Sequence, residues 1–157
     1  MARGIRRLSR QGRARRSRAR SGPGDLRRLL DQLPPEKRAQ ALTHSSWTEK
    51  RSESYGRLAF LGDSVLGLAL AEHLFRRYPN ADIGRLTKMH GQAVSGRACA
   101  KVATELGVPE LLEEVAPENL DGGIEVPALL ASERALASVC EAVIGACYLE
   151  YGFETTA

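Results

Sequence analysis

One carboxylate interrupts an otherwise apolar stretch of this sequence. Asp63 stands among apolar residues that recur at helical spacing, which predicts a core helix rather than a strand. These residues are Leu58, Leu61, Val65, Leu66 and Leu68. A carboxylate beside a buried stripe is costly unless a cation, hydrogen-bond donors or a metal neutralises it. Asp63 is therefore a candidate for binding a cation or metal, and a capped or paired aspartate at a helix defect is the alternative.

The residues around Asp63 resemble a known signature. The run Arg57-Leu58-Ala59-Phe60-Leu61-Gly62-Asp63-Ser64-Val65-Leu66 is similar to Glu-Arg-Leu-Glu-Phe-Leu-Gly-Asp-Ser-Val-Leu, the signature of the ribonuclease III family. Where the family carries acids, this chain has Gly56 and Ala59, so of the signature's acids only Asp63 is kept. Residues 59 and 63 share a helix face, which explains why the family places two metal-binding carboxylates at this spacing.

Two further elements follow in the order that the same family shows. Leu42-Thr43-His44-Ser45-Ser46-Trp47 resembles its Leu-Thr-His-x-Ser-aromatic element, in which the histidine is structural, so we assign His44 no catalytic role. The segment from Ala135 to Ala146 is similar to Ile-Leu-Ala-Asp-x-x-Glu-Ala-x-Ile-Gly-Ala, with Glu141 kept and Ser138 in place of the aspartate. The resemblance covers about residues 25 to 153.

The resemblance implies a specific chemistry, hydrolysis of phosphodiesters in double-stranded RNA with Mg²⁺ or Mn²⁺ held by four acids. It assigns Asp63 and Glu141 as catalytic and metal-binding residues, whereas Ala59 and Ser138 occupy the other two ligand positions. Loss of two negative charges weakens binding of hard cations. The sequence therefore predicts impaired activity and low metal occupancy.

Three functions stay open from the sequence. The first is an active or residually active endoribonuclease in RNA processing, including that of rRNA precursors, which would borrow acids such as Glu53, Glu72 or those near Asp121. The second is a catalytically inactive RNA-binding or ribosome-associated module derived from such a nuclease. The third is an unrelated helical interaction protein. The family resemblance favours the first function, and the loss of charge favours the second.

Length and composition predict one all-α domain. A chain of 157 residues suits a single domain with a substantial core. Apolar residues make up 43% of the sequence but aromatic residues only 5%, which favours helices built on Leu and Ala. We expect the helical bundle of a ribonuclease III-type nuclease domain, with a loop from Ala116 to Pro127. The predicted helices are Asp25–Leu33 with Asp25 as the cap, Glu36–Leu42, Tyr55–Tyr78, Ile83–Leu106, Glu110–Glu114 and Leu129–Tyr151.

The positive charge of the chain is concentrated at its N-terminus. Residues 1–24 hold nine arginines and no acid, which leaves 14 basic against 19 acidic residues, about −5, in the rest. Such a segment cannot bury a core, so we expect residues 1–24 to be a disordered arm and residues 25–157 the folded domain. The arm would bind RNA phosphates, unless it is an expression artefact, a mis-assigned start or a transit peptide. Its predicted RNA-binding residues are Arg6, Arg7, Arg13, Arg15, Arg16, Arg18 and Arg20.

Further features set expectations for assembly and location. The resemblance implies a homodimer in which the signature helix pairs with its symmetry mate, with Phe60 and Leu61 at the interface. No apolar run approaches the ~20 residues of a membrane span, and the N-terminus lacks a signal-peptide core. We therefore expect a cytoplasmic protein without membrane contact.

The cysteines and the C-terminus complete the expectations. Cys99, Cys140 and Cys147 are odd in number and lack metal-type spacing, which predicts buried free thiols. The chain ends at Ala157, without the C-terminal double-stranded-RNA-binding domain that the resembling family commonly carries. Either the chain is truncated there or it acts without that domain, in which case the arginine-rich arm is the natural substitute.

Overall fold

A computed structural model describes residues 23–120 and 122–157 of the chain. The regular structure of these residues is entirely helical, which confirms the predicted all-α fold. Within this described part there are nine α-helices, and a 3-10 turn, Arg51–Glu53, separates the second from the third. In chain order they are α1 (Pro23–Asp31), α2 (Pro35–Leu42), α3 (Gly56–Arg77), α4 (Ile83–Ala93), α5 (Gly96–Glu105), α6 (Val108–Val115), α7 (Val126–Leu130), α8 (Glu133–Tyr151) and α9 (Phe153–Thr156).

Helix α8 is the centre of the fold. Its residues from Ala142 to Cys147 are all buried, and a helix that is apolar on every side belongs in a core. Helices α3 and α5 pack along it. Its C-terminal end is tied to α1 by a hydrogen bond from the Tyr151 hydroxyl to the Leu29 carbonyl, 3.2 Å. An ion pair of 2.6 Å between Lys37 and Glu150 ties it to α2.

Helices α3 and α8 cross with their backbones in contact. A Cβ atom built on Gly62 would overlap the carbonyl oxygen of Glu141 and lie 2.8 Å from the amide nitrogen of Gly145. A Cβ atom built on Gly145 would overlap the carbonyl oxygen of Leu58. Only glycine fits at these two positions, so they bring the backbone beside Asp63 directly against the backbone of Glu141.

The predicted long helix Ile83–Leu106 is wrong, because the structure divides it into α4 and α5. Val94 and Ser95 lie between the two helices, and the Ser95 hydroxyl accepts a hydrogen bond from the Ala98 amide at 3.3 Å. A serine that caps the new helix competes with continuation of the old one. The Ser95-Gly96 pair was the sequence signal for this break.

Other helix boundaries also differ from the predictions, and a short helix, α7, begins within the predicted loop Ala116–Pro127. The last long helix begins at Glu133 rather than Leu129, because Ser132 caps it by accepting a hydrogen bond from the Ala135 amide at 3.2 Å. Helix α1 begins at Pro23, so Asp25 lies in its first turn instead of capping it. Proline is favoured in the first turn of a helix because its fixed φ suits that position and its missing N–H has no partner there.

Helix α3 carries a second apolar face that points away from α8. By length and composition α3 is apolar enough to cross a membrane, with a mean hydropathy of 1.5 over 18 residues, a test that core helices of soluble proteins also pass. Only 22% of that window is buried. Phe60, Leu68 and Phe75 are 80%, 58% and 73% exposed. We call these three side chains the outward face of α3.

The three cysteines are buried free thiols, as the sequence predicted. A hydrogen bond that the Cys140 thiol donates to Cys99, together with burial, raises the pKa of Cys140. Burial raises the pKa of Cys147 to about 11. Both groups are therefore neutral thiols at physiological pH, which suits packing rather than reactivity.

Candidate active site

Asp63 follows the crossing glycine of α3, but its side chain is exposed rather than buried. The cost of burying the charge, which a cation, hydrogen-bond donors or a metal was expected to offset, is therefore absent. One residue turns a helix by about 100°, so Asp63 points away from the direction in which Gly62 meets α8. The residue is exposed to solvent there, which leaves its carboxylate accessible to a ligand.

Glu141 lies on α8 at the same crossing and is half-buried. Burial raises the pKa of its carboxyl group, and the negative charge of Asp63 raises it further. The two acids that the sequence assigned to the site are thus brought within electrostatic reach of each other, although they are 78 positions apart in the chain. The like charges of the two carboxylates repel each other, and a bound cation would relieve that repulsion.

The other two ligand positions cannot bind a hard cation in the same way. Ala59, on α3, is only 7% exposed and packs in the hydrophobic core. Ser138 is half-buried, three residues before Glu141, and offers only a neutral hydroxyl. Among the described residues there is no group of three or more His, Cys, Asp or Glu side chains that could hold a metal ion. A cluster of two cations therefore does not fit the side chains present.

The acids proposed as substitutes do not fill the gap. The Glu53 carboxylate pairs with Lys50 at 3.3 Å, and the Glu72 carboxylate pairs with Arg76 on the next turn of α3. Both are engaged with cations of their own segments. Asp121 lies outside the described residues. The idea that nearby acids replace the missing ligands therefore finds no support from Glu53 or Glu72.

A cavity of about 230 Å³ lies beside Ser138. Its eight lining residues are His44, Tyr55, Ile124, Leu129, Ser132, Arg134, Ala135 and Ser138. The wall is fixed by the indole N–H of Trp47, which donates to the Ile124 carbonyl at 2.8 Å, and by the Ile124 amide, which donates to the Ser46 hydroxyl at 2.9 Å. Sequence reasoning missed Tyr55 and Arg134, although Arg134 is one helical turn before Ser138 and could have been found by that spacing.

The remaining predicted site residues lie in different places. Phe60 is exposed and Leu61 is half-buried, and both line a cavity of about 710 Å³ that also includes Leu149 of α8. The predicted RNA-binding arginines of the arm lie outside the described residues. They are Arg6, Arg7, Arg13, Arg15, Arg16, Arg18 and Arg20.

The chain is similar to known proteins in sequence and in fold. A family model described as Ribonuclease-III-like matches residues 35–157. Ribonuclease 3 of Bacillus cereus (strain AH187) is 42% identical over 120 residues, which is 74% of this chain and 46% of that protein. Ribonuclease 3 of Bacillus anthracis (strain CDC 684 / NRRL 3495) matches with the same identity and coverage. The chain thus spans about half the length of the curated relatives it matches.

Solved structures match over most of the chain. The crystal structure of the nuclease domain of ribonuclease III from Campylobacter jejuni is 30% identical, with a TM-score of 0.67, and covers 85% of this chain and 86% of that one. A second Campylobacter jejuni structure of that nuclease domain, described as showing flexibility in a region involved in dimer formation, has a TM-score of 0.68 at 30% identity.

The chain therefore belongs to the ribonuclease III family. Within that family, the part that matches is similar to the nuclease domain, as the motifs around Asp63 and Glu141 predicted.

Proposed function

We propose that this domain is a ribonuclease III-type endoribonuclease that cleaves double-stranded RNA slowly, with Asp63 and Glu141 as the residues on which cleavage depends. The observation that carries the proposal is the acid pair at the α3–α8 crossing, where burial and then the charge of Asp63 raise the pKa of Glu141. The crossing of Gly62 against the Glu141 backbone holds this pair in place.

We further propose that the protein is cytoplasmic.

The cofactor we propose is Mg²⁺ or Mn²⁺. One divalent cation suits the two carboxylates of Asp63 and Glu141, whereas two cations do not. A bound cation supplies Lewis-acid activation of water and phosphate. Asp63, which is exposed, can bind a hydrated cation from solvent, and Glu141, which is half-buried, fixes the position of the site against the core. The smaller negative charge than that of a four-acid site supports slow rather than fast cleavage.

The active form we propose is a two-fold homodimer. The outward face of α3 exposes two phenylalanines and a leucine along one side of the helix, and Phe60 lines the large cavity beside Leu61 and Leu149. In an isologous interface the same patch serves both subunits, so each Phe60 can enter the cavity of the other subunit. The similar nuclease domain from Campylobacter jejuni, whose structure is described as having a region involved in dimer formation, supports this proposal.

The test restores the missing ligands. We expect the unmodified protein to cut duplex RNA, with Mg²⁺ or Mn²⁺, at least about a hundredfold more slowly than the double variant Ala59→Glu with Ser138→Asp. Asp63→Asn or Glu141→Gln should each abolish cleavage by either protein. The matched control is Gln32→Glu with Gln92→Glu, which adds two charges at exposed positions away from the site and should leave the rate unchanged. Fast cleavage by the unmodified chain would contradict the proposal of a weakened site.

A catalytically inactive RNA-binding module is the second candidate function. It is favoured by the lack, among the described side chains, of a group large enough to hold a metal ion. In that case the unmodified protein binds duplex RNA but cuts none, and Asp63→Asn changes neither result. Cleavage that appears only in the double variant would show that the nuclease frame is intact and has lost its ligands.

The arm is proposed to supply RNA affinity that an acidic domain lacks. Because α1 begins at Pro23, the deletion that tests it removes residues 1–22 and leaves the helix whole. The truncated protein should bind duplex RNA more weakly and with a flatter dependence on log salt concentration, at the same melting temperature. An unchanged salt slope would mean that the arm does not contact RNA.

A further inference from the structure

The cavity beside Ser138 is lined by groups that donate hydrogen bonds. Five of its eight lining residues have polar side chains, namely His44, Tyr55, Ser132, Arg134 and Ser138. None of the described residues that line it is acidic. A volume of about 230 Å³ has room for several waters of roughly 30 Å³ each, and so for a phosphate group with its hydration.

His44 is held as a neutral donor. The Ser46 amide donates to Nδ1 of His44 at 3.1 Å, and the Ser46 hydroxyl lies 2.9 Å from the same nitrogen. Since Nδ1 accepts a hydrogen bond, the proton of the neutral ring is assigned to Nε2. Burial lowers the pKa of His44, which favours this neutral form. The ring also packs edge-on against Tyr55, with ring centroids 5.6 Å apart.

Arg134 brings the positive charge. Burial raises the pKa of the Tyr55 hydroxyl, and the charge of Arg134 acts against that rise, so the guanidinium lies within electrostatic reach of the phenol. No ion pair between described residues includes Arg134. The neighbouring Glu133 points towards α5 instead, since its carboxylate lies 3.9 Å from the Cβ position of Gly96.

The serine at position 138, in place of an acid, and the presence of Arg134 both favour binding of an anion. A carboxylate at Ser138 would line the cavity and repel an anion, whereas the hydroxyl can donate to one. The planar guanidinium of arginine binds phosphate with two parallel hydrogen bonds. We infer that this cavity is an anion site that binds a phosphate group directly, through Arg134, Ser138, His44 and Tyr55. The identification of that group as an RNA backbone phosphate rests on the proposed function.

The experiment measures phosphate binding without RNA or divalent metal. Inorganic phosphate and dimethyl phosphate are titrated separately into the full chain by calorimetry, with ³¹P line broadening as a second readout. We expect saturable binding at one site per chain. Binding of dimethyl phosphate as well as inorganic phosphate would identify a backbone phosphodiester as the ligand, and binding of inorganic phosphate alone would identify a free or terminal phosphate.

Variants assign the binding to the cavity. Arg134→Gln should weaken phosphate binding about tenfold or more, because two charge-assisted hydrogen bonds are lost. Tyr55→Phe removes one hydroxyl and should weaken it about threefold. Arg97→Gln, at an exposed position on α5, is the matched control and should leave binding unchanged. The absence of saturable binding of either phosphate, or an equal loss in Arg97→Gln, would overturn the inference.

One substitution separates this inference from the proposed nuclease function. Ser138→Asp should weaken phosphate binding at least tenfold by repulsion, yet together with Ala59→Glu it should accelerate RNA cleavage. If neither the unmodified protein nor the double variant cleaves RNA, the nuclease proposal is refuted. If Ser138→Asp nevertheless weakens phosphate binding, the anion site is supported independently of the nuclease. A protein in which Ser138→Asp leaves phosphate affinity unchanged would refute the anion site, whatever its nuclease activity.

Discussion

The two faces of α3 are both apolar, but they differ in the size of their side chains. On the inner face Gly62 lets the helix backbone touch the backbone of α8, with Leu58 and Val65 buried on either side. On the outward face Phe60 and Phe75 project into solvent. Small residues allow two helices of one chain to meet closely, whereas large exposed residues offer area to another molecule. Residue size, more than hydropathy, distinguishes the intrachain contact from the proposed dimer surface.

The largest effect is expected from a change on the inner face. Gly62→Ala places a methyl group where the Glu141 carbonyl oxygen lies, so α3 and α8 must move apart. We expect a loss of about 3 kcal/mol or more in the free energy of unfolding, measured by urea denaturation. Gly67→Ala is the matched control on the same helix, because among the described residues its methyl group would meet the His90 side chain at an ordinary 3.9 Å. Equal stability of the two variants would show that the crossing is not tight.

The outward face is tested by a charge. Phe60→Asp should raise the dissociation constant of the homodimer at least about thirtyfold, since a buried aromatic anchor at an interface contributes roughly 2 kcal/mol or more. The control Thr87→Asp adds the same charge at an exposed site on α4. Sedimentation at micromolar concentration reads out both variants. A monomeric unmodified protein would refute the dimer, and a dimeric Phe60→Asp protein would exclude Phe60 from the interface.

A glycine without close neighbours sharpens the contrast. Gly91 lies in α4, and no atom of the described residues, apart from its chain neighbours and its own helix backbone, lies within 4 Å of the position where a Cβ would be. Gly91→Ala should therefore stabilise the domain by about 0.5–1 kcal/mol through helix propensity alone. Thermal unfolding monitored by circular dichroism measures the change. A destabilised variant would mean that α4 contacts something on that side, such as a second subunit.

The smallest effect concerns the acid pair beside the inner face. The pKa of Glu141 in the folded protein is raised above its ordinary value of 4.5, by burial and then by Asp63. Its contribution to stability is therefore fully present below pH 4.5 and is lost as the pH rises through the raised value. Glu141→Gln should gain stability relative to the unmodified protein between pH 4 and pH 7, in chelator-containing buffer without divalent metal.

A second substitution checks the cause of that pH dependence. In the Asp63→Asn background the pKa of Glu141 loses the contribution of the neighbouring charge and keeps that of burial. The stability gained by Glu141→Gln with rising pH should then be smaller, as denaturant titrations at several pH values would show. An equal gain in both backgrounds would assign the whole shift to burial.

The sequence predicted the fold class and the acid pair because both are recorded in local patterns. The motifs around Asp63 and Glu141 specify residue types at helical spacing, and such local patterns can be recognised without knowledge of the tertiary structure. The exposure of Asp63 was missed, because it depends on the direction from which α8 approaches α3. The helix breaks at Ser95 and Ser132 were also missed, although both serines carry the capping signal.

The cavity was beyond sequence reasoning for a different reason. It joins His44 and Tyr55, which follow α2, to Arg134 and Ser138 on α8, about 80 to 95 positions later in the chain. No short motif relates residues at such separations. Their meeting is decided by the packing of α3 against α8 and by the bonds of Ile124 to Ser46 and Trp47.

The hydrogen bond from Trp47 to the Ile124 carbonyl gives this protein an optical probe. Trp47 is the one tryptophan of the sequence, so intrinsic fluorescence excited at the indole band reports a single position. The centroid of that indole lies 6.0 Å from the centroid of the His44 ring, and His44 lines the cavity beside Ser138. Occupation of the cavity, or release of the segment around Ile124, should change the emission of Trp47 without any attached dye.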